Sequence, residues 1–134
     1  VLNGGSGAEA YTFGGQHLEG RMMFMGASPE AYAEPWAAVT KINDPGSVHV
    51  SEAHAANILV ASNGCAADGE AAACAERLEV ALERGPQMYK DDFLAPSEAM
   101  DYWLNFQDGD PARCNPVTAP PECSAEALES LTSL

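Results

Sequence analysis

Four cysteines constrain this chain more than any other feature, because they fall as two pairs of equal spacing. Cys65 and Cys74 are nine positions apart, and so are Cys114 and Cys123. Four cysteines allow three pairings. The stretches AADGEAAA and NPVTAPPE contain turn-forming residues that can bring their ends together, which favours pairing 65 with 74 and 114 with 123. Closing a loop of about ten residues stabilises by roughly 2.7 kcal/mol on a chain-entropy argument. A structural zinc site is the rival, but zinc thiolates usually stand two to four residues apart, and no CxxC occurs. Two disulfides imply an oxidising compartment, so the expected location is extracellular or periplasmic.

The chain of 134 residues fits one domain, read as a flexible Gly-rich arm over 1–7 and a single disulfide-stapled domain over 8–134. Val1 in place of Met is read as the mark of a removed signal peptide or of a fragment. Alanine accounts for 24 of the apolar residues, so the core is expected to be thin. Twenty acidic residues face six basic ones, for a net charge of −14. Nucleic acid and anionic membrane surfaces need clustered Lys and Arg, and here the basic residues stand apart from one another. The acidity suits either solubility in salty water or a larger protein partner with a basic surface. The longest run of large apolar residues is Ile58-Leu59-Val60, far too short for membrane insertion.

Local signals point to a mainly α fold, a small bundle of four or five short helices behind an irregular Gly/Met-rich N-terminal segment. Ser28-Pro29 reads as an N-cap and first helical residue, with Pro35 as a break. Trp36, Val39 and Ile42 form an apolar stripe that runs to the turn Asp44-Pro45-Gly46. Ser51 reads as the cap of a helix EAHAANILVAS, ended by Asn63-Gly64 in a left-handed cap. The clearest helix starts at Asp68 or Gly69 and ends at Arg84 before Gly85-Pro86, with the stripe Ala71, Ala75, Leu78 and Leu82. Pro96-Ser97 opens another helix carrying Met100, Trp103, Leu104 and Gln107. Ser124 caps a last one carrying Leu128, Leu131 and Leu134. Met22 to Met25 reads either as a short strand or as an irregular buried segment.

No nucleophile motif, reactive Cys–His pair or carboxylate pair in an apolar setting is legible, so no catalytic residue is assigned and the chain is read as a non-enzyme. A soft-metal or haem reading would use His17, Met22, Met25, His49 and His54, since thioether and imidazole suit Cu(I) and can serve as haem axial ligands. Core packing of the methionines and capping or solvation of the histidines is the plainer reading, so no cofactor is expected. His54 is placed near the positive end of its helix, which would lower its pKa. The turn at Asp108-Gly109-Asp110 is oxygen-rich but lacks the downstream glutamate of a calcium loop.

The segments PWAAVTKI, HAANILVAS and GCAADGEAAACAERLEVAL, within about residues 35–85, resemble the cytochrome-c-like helical domains of large secreted bacterial proteins. CxxCH is absent from the whole sequence. The resemblance therefore implies a haem-free relative kept as a structural or binding module. The expected function is a non-catalytic, secreted or periplasmic accessory subunit docking on a larger partner. The alternative is an electron-transfer or metal-binding protein using the His and Met residues named above.

Overall fold

The computed structural model describes residues 10–11, 23–66, 68–96, 98, 100–106 and 113–130. Among them are four strands: β1 (Met25–Gly26), β2 (Ala37–Lys41), β3 (Leu59–Asn63) and β4 (Met88–Lys90). They form one parallel sheet in the order β1-β2-β3-β4, identical to their order in the chain. The described helices are α1 (Val48–Ala55), α2 (Ala71–Arg84) and the short α3 (Ala125–Glu129). A parallel pair cannot be joined by a hairpin and needs a crossover. Helix α1 supplies it between β2 and β3, and α2 between β3 and β4.

Register shows which face the helices cover. Thr40 pairs with Val60, and Ser62 pairs with Tyr89, so with a side-chain period of two these four residues share a face. Val60 packs with Val50 and Ala53 of α1, and Tyr89 packs against the cluster that holds Cys74 and Leu78 of α2. Both helices therefore lie on the same side. The opposite face carries Leu59, Ala61 and Met88, and there Leu59 is 49% and Met88 45% exposed. Consistently right-handed crossovers in a sheet whose strand order never reverses place every helix on one side.

The expected mainly α bundle is overturned. Residues 36–42 are not helical: β-branched Val39, Thr40 and Ile42 suit a strand, and a short apolar run cannot separate the two periods. The expected helix EAHAANILVAS divides in two. Its first part belongs to α1, which starts earlier, with Ser47 as N-cap accepting from His49 N at 3.3 Å. Asn57 then adopts a left-handed conformation (φ 58°) that turns the chain, and Leu59–Asn63 becomes β3. Ser51 is not a cap; its hydroxyl donates to Val48 O at 2.8 Å. Gly64 is not a left-handed cap, whereas Gly85, at φ 69°, is.

Helix α2 matches its expected stop and begins at Ala71 rather than at 68 or 69; its buried face is Cys74, Leu78 and Ala81, with Ala71 and Leu82 beside it, while Ala75 of the expected stripe is exposed. The Ser28-Pro29 start yields only a 3-10 turn, Pro29–Ala31. No helix forms among the described residues of 96–106; Tyr102 is buried, Trp103 exposed and Leu104 half-buried, an alternating pattern of extended chain. Helix α3 begins where expected, with Ser124 Oγ accepting from Ala127 N at 3.1 Å. The arm 1–7, the turn 108–110, Leu131 and Leu134 lie outside the described residues. Both disulfides are present in the expected pairing, 65 with 74 and 114 with 123.

Candidate functional site

A polar cavity of about 470 Å³ opens at the C-terminal ends of β3 and β4. Its walls come from Asn43, beyond β2, from Asn63 to Ala66, from Ala73, Cys74 and Arg77 on α2, and from Lys90 and Asp92. The end of a parallel sheet collects such residues because each strand's exit loop must turn there into the next helix. Arg77 reaches back from α2 over both neighbouring strand ends. Its Nε donates to Asn63 O at 2.9 Å and its Nη2 donates to Asn43 O. Asn63 Nδ2 in turn donates to Asn43 Oδ1 at 3.1 Å. Lys90, the last residue of β4, holds its ammonium 3.4 Å from Asp92 Oδ1.

Sheet register adds a third cation nearby. Lys41 pairs with Ala61 and Asn63 pairs with Lys90, so Lys41, Asn63 and Lys90 stand on one face at three adjacent strand ends. That face is the one the helices leave open. The chain has only six basic residues, yet two line this one cavity and Lys41 ends the next strand. Sequence reasoning missed the grouping because Lys41, Arg77 and Lys90 are far apart in the chain.

A buried carboxylate supports the cavity from below. Asp91 Oδ2 accepts from Cys65 N at 2.9 Å and from the Tyr102 hydroxyl at 2.8 Å, while Oδ1 accepts from Phe93 N at 2.8 Å. Burial, and then the hydrogen bond to Asp91, push the Tyr102 phenol well above its ordinary value. Burial first, and the Asp91 charge second, raise Tyr89 to about 12. Gly64 makes this packing possible. A Cβ there would meet Asp91 Oδ2 and stand 2.7 and 2.8 Å from Cε1 and Cζ of Tyr89.

The residues proposed for a soft metal or haem fare differently. His17 and Met22 lie outside the described residues. Met25 is buried in β1. His49 is exposed on α1 and hydrogen-bonds Glu52 through Nδ1 at 2.6 Å. His54 sits in the last turn of α1, not the first. Its pKa is lowered as expected, but the cause is burial, which outweighs the nearby Gln87 and Gly85. Among the described residues, no three His, Cys, Asp or Glu side chains converge on a point fit for a metal.

A parallel α/β sheet in sequential order, with α1 and α2 on one side, thus carries a cation-bearing pocket at its strand ends. The chain belongs to the Ca2+-dependent phosphoinositide phospholipase C family, whose sequence pattern it matches over residues 1–116. This replaces the resemblance to cytochrome-c-like domains: PWAAVTKI holds strand β2, and HAANILVAS joins the end of α1 to strand β3, in a phospholipase C-related domain. No curated protein and no solved structure matches the chain.

The family's calcium dependence raises the question of whether this cavity suits that ion. Calcium takes six to eight oxygen ligands, carboxylates prominent among them. Here the Asn43 and Asn63 carbonyls are both engaged by Arg77, the Asn43 side-chain oxygen by Asn63, and the Asp92 carboxylate by Lys90. A divalent cation would meet a guanidinium and an ammonium. The donor set does not fit calcium.

Proposed function

We propose that this chain is the headgroup-binding portion of a phospholipase C-type α/β barrel, and that by itself it binds a phosphorylated headgroup without cleaving it. The presence of Arg77 and Lys90 in one cavity, with Lys41 at the end of β2, carries this reading, because an anionic ligand approaching a chain of net charge −14 needs a local positive site. The cavity offers cations and amides for orientation. Cleaving a phosphodiester also needs groups that take and give protons, and the two described histidines stand on α1, outside the cavity lining.

The sequential parallel sheet supports a place in a larger assembly. A closed barrel of this kind uses eight strands. Further strands set beside β1 and β4 would cover the face that now exposes Leu59 and Met88, which fits an accessory role on a larger partner. The two disulfides favour an extracellular or periplasmic setting. No described helix is long and apolar enough to cross a membrane. Titrating the purified chain with inositol 1-phosphate, alongside an assay for diacylglycerol release from phosphatidylinositol vesicles, tests the reading. Saturable binding without turnover is expected. Absence of binding removes the headgroup role, and turnover by the chain alone would make it a catalyst.

A further inference from the structure

We infer that headgroup binding in this pocket is independent of calcium, with the Arg77 guanidinium standing where a metal-dependent pocket would place its ion. The inference rests on the headgroup reading above. Two backbone carbonyls, Asn43 O and Asn63 O, converge from the exits of adjacent strands on one point. Converging carbonyls are the kind of oxygen set that recruits a hard cation. The cation that fills this point is Arg77, delivered from the second turn of α2 and aligned by both carbonyls at once.

A guanidinium has five N–H donors in a planar fork. The two carbonyls engage two of them, which leaves three for an anion in the cavity that Arg77 lines. Arginine suits phosphate because its fork matches two phosphate oxygens together. Lys90, which also lines the cavity, supplies a second positive charge, and its tie to exposed Asp92 is a weak surface pair that a phosphate can displace. The pocket thus holds its own positive charge, fixed by the fold. Added calcium would compete with Arg77 for oxygens already occupied.

The test is calorimetric titration of the full chain with inositol 1-phosphate, in excess calcium and in excess chelator. Dissociation constants agreeing within about twofold are expected. Arg77→Gln should weaken binding by about tenfold or more in both buffers, and Lys90→Gln by about three- to tenfold. If Arg77→Gln fails to fold by circular dichroism, Lys90→Gln and the wild-type comparison carry the test. Binding that tightens by about tenfold or more in calcium overturns the inference and leaves the headgroup reading standing. Binding in neither buffer removes both. Unchanged affinity in Lys90→Gln also counts against a cation-built pocket.

Discussion

The Tyr102 hydroxyl donates a 2.8 Å hydrogen bond to Oδ2 of Asp91, and both residues are buried. The same carboxylate accepts the backbone N–H groups of Cys65 and Phe93. One side chain at the exit of β4 thus fixes the exit of β3, its own loop and the segment around residue 102. The rear wall of the pocket depends on this node.

Tyr102→Phe should therefore cost about 2 kcal/mol, the usual range for a buried hydrogen bond to a charged group. Asp91→Ala is expected to cost more, about 4 kcal/mol, because it strands two backbone donors and the phenol together. Urea unfolding of both variants checks the order. Equal, small effects would mean that the node is solvated and holds nothing in place.

Gly64→Ala tests the close approach beneath the pocket. The added methyl would sit 2.7 Å from the Tyr89 ring and collide with the Asp91 carboxylate. Overpacking of this kind costs about 1–3 kcal/mol. Alanine here should lower the unfolding midpoint and also weaken inositol phosphate binding, because β3's exit would shift. A variant as stable as the parent would show that the strand exits have room to move.

Phenol ionisation offers a test without mutation. Tyr89 is raised to about 12 and Tyr102 is raised further. A folded-state pKa above the unfolded value of about 10 means that the stabilisation is complete below pH 10 and is lost as pH rises toward 12. Ultraviolet titration should show Tyr89 and Tyr102 ionising late, together with unfolding. Tyr89 and Tyr102 titrating near pH 10 in the folded protein would contradict the burial seen here.

His54 behaves in the opposite sense at low pH. Burial lowers its pKa, so the unfolded chain takes up the proton first as pH falls through about 6.5. Stability should be complete above that value and decline below it. His54→Gln should flatten this part of the stability profile, measured by chemical denaturation between about pH 7 and 5. A profile unchanged by the substitution would assign the decline to other groups.

How much of this was legible in the sequence depends on the range of each signal. Helix α2 with its Gly85-Pro86 stop, the Ser124 cap and the local cysteine pairing are written within short windows, and those readings held. The sheet was missed because Ile58-Leu59-Val60 follows a helical stretch with no Gly or Pro between. The break is a left-handed Asn57, a weaker signal than glycine. The alternation of burial along β3 is not written in its residue types either, since Leu59 lies exposed and Ser62 buried. The pocket was missed for a different reason: Arg77 meets Asn43 across 34 positions, and Asp91 meets Cys65 across 26. Basic residues that stand apart in the chain are brought together only by the crossovers.

The two disulfides allow a last comparison, because their loops are equally long. Each spans nine positions, so the unfolded-state contribution is the same for both, roughly 2.7 kcal/mol. Any difference on removing them must come from the folded side. Cys74 is almost fully buried and Cys65 nearly so, packed with Leu78 and Tyr102, and Gly69 sits so close that a Cβ there would strike Cys65 Sγ. Cys114 and Cys123 are only half-buried. Replacing Cys65 and Cys74 by alanine should therefore remove the loop constraint and also leave a cavity, for a total of about 4 kcal/mol. Replacing Cys114 and Cys123 should cost about 2–3 kcal/mol. The first pair also borders the pocket, so its removal should weaken inositol phosphate binding, while removal of the second pair should not. Denaturant unfolding and calorimetry on the two double variants read both effects. Equal destabilisation, or a binding defect in the 114–123 variant alone, would show that the 65–74 bridge does not shape the strand-end pocket.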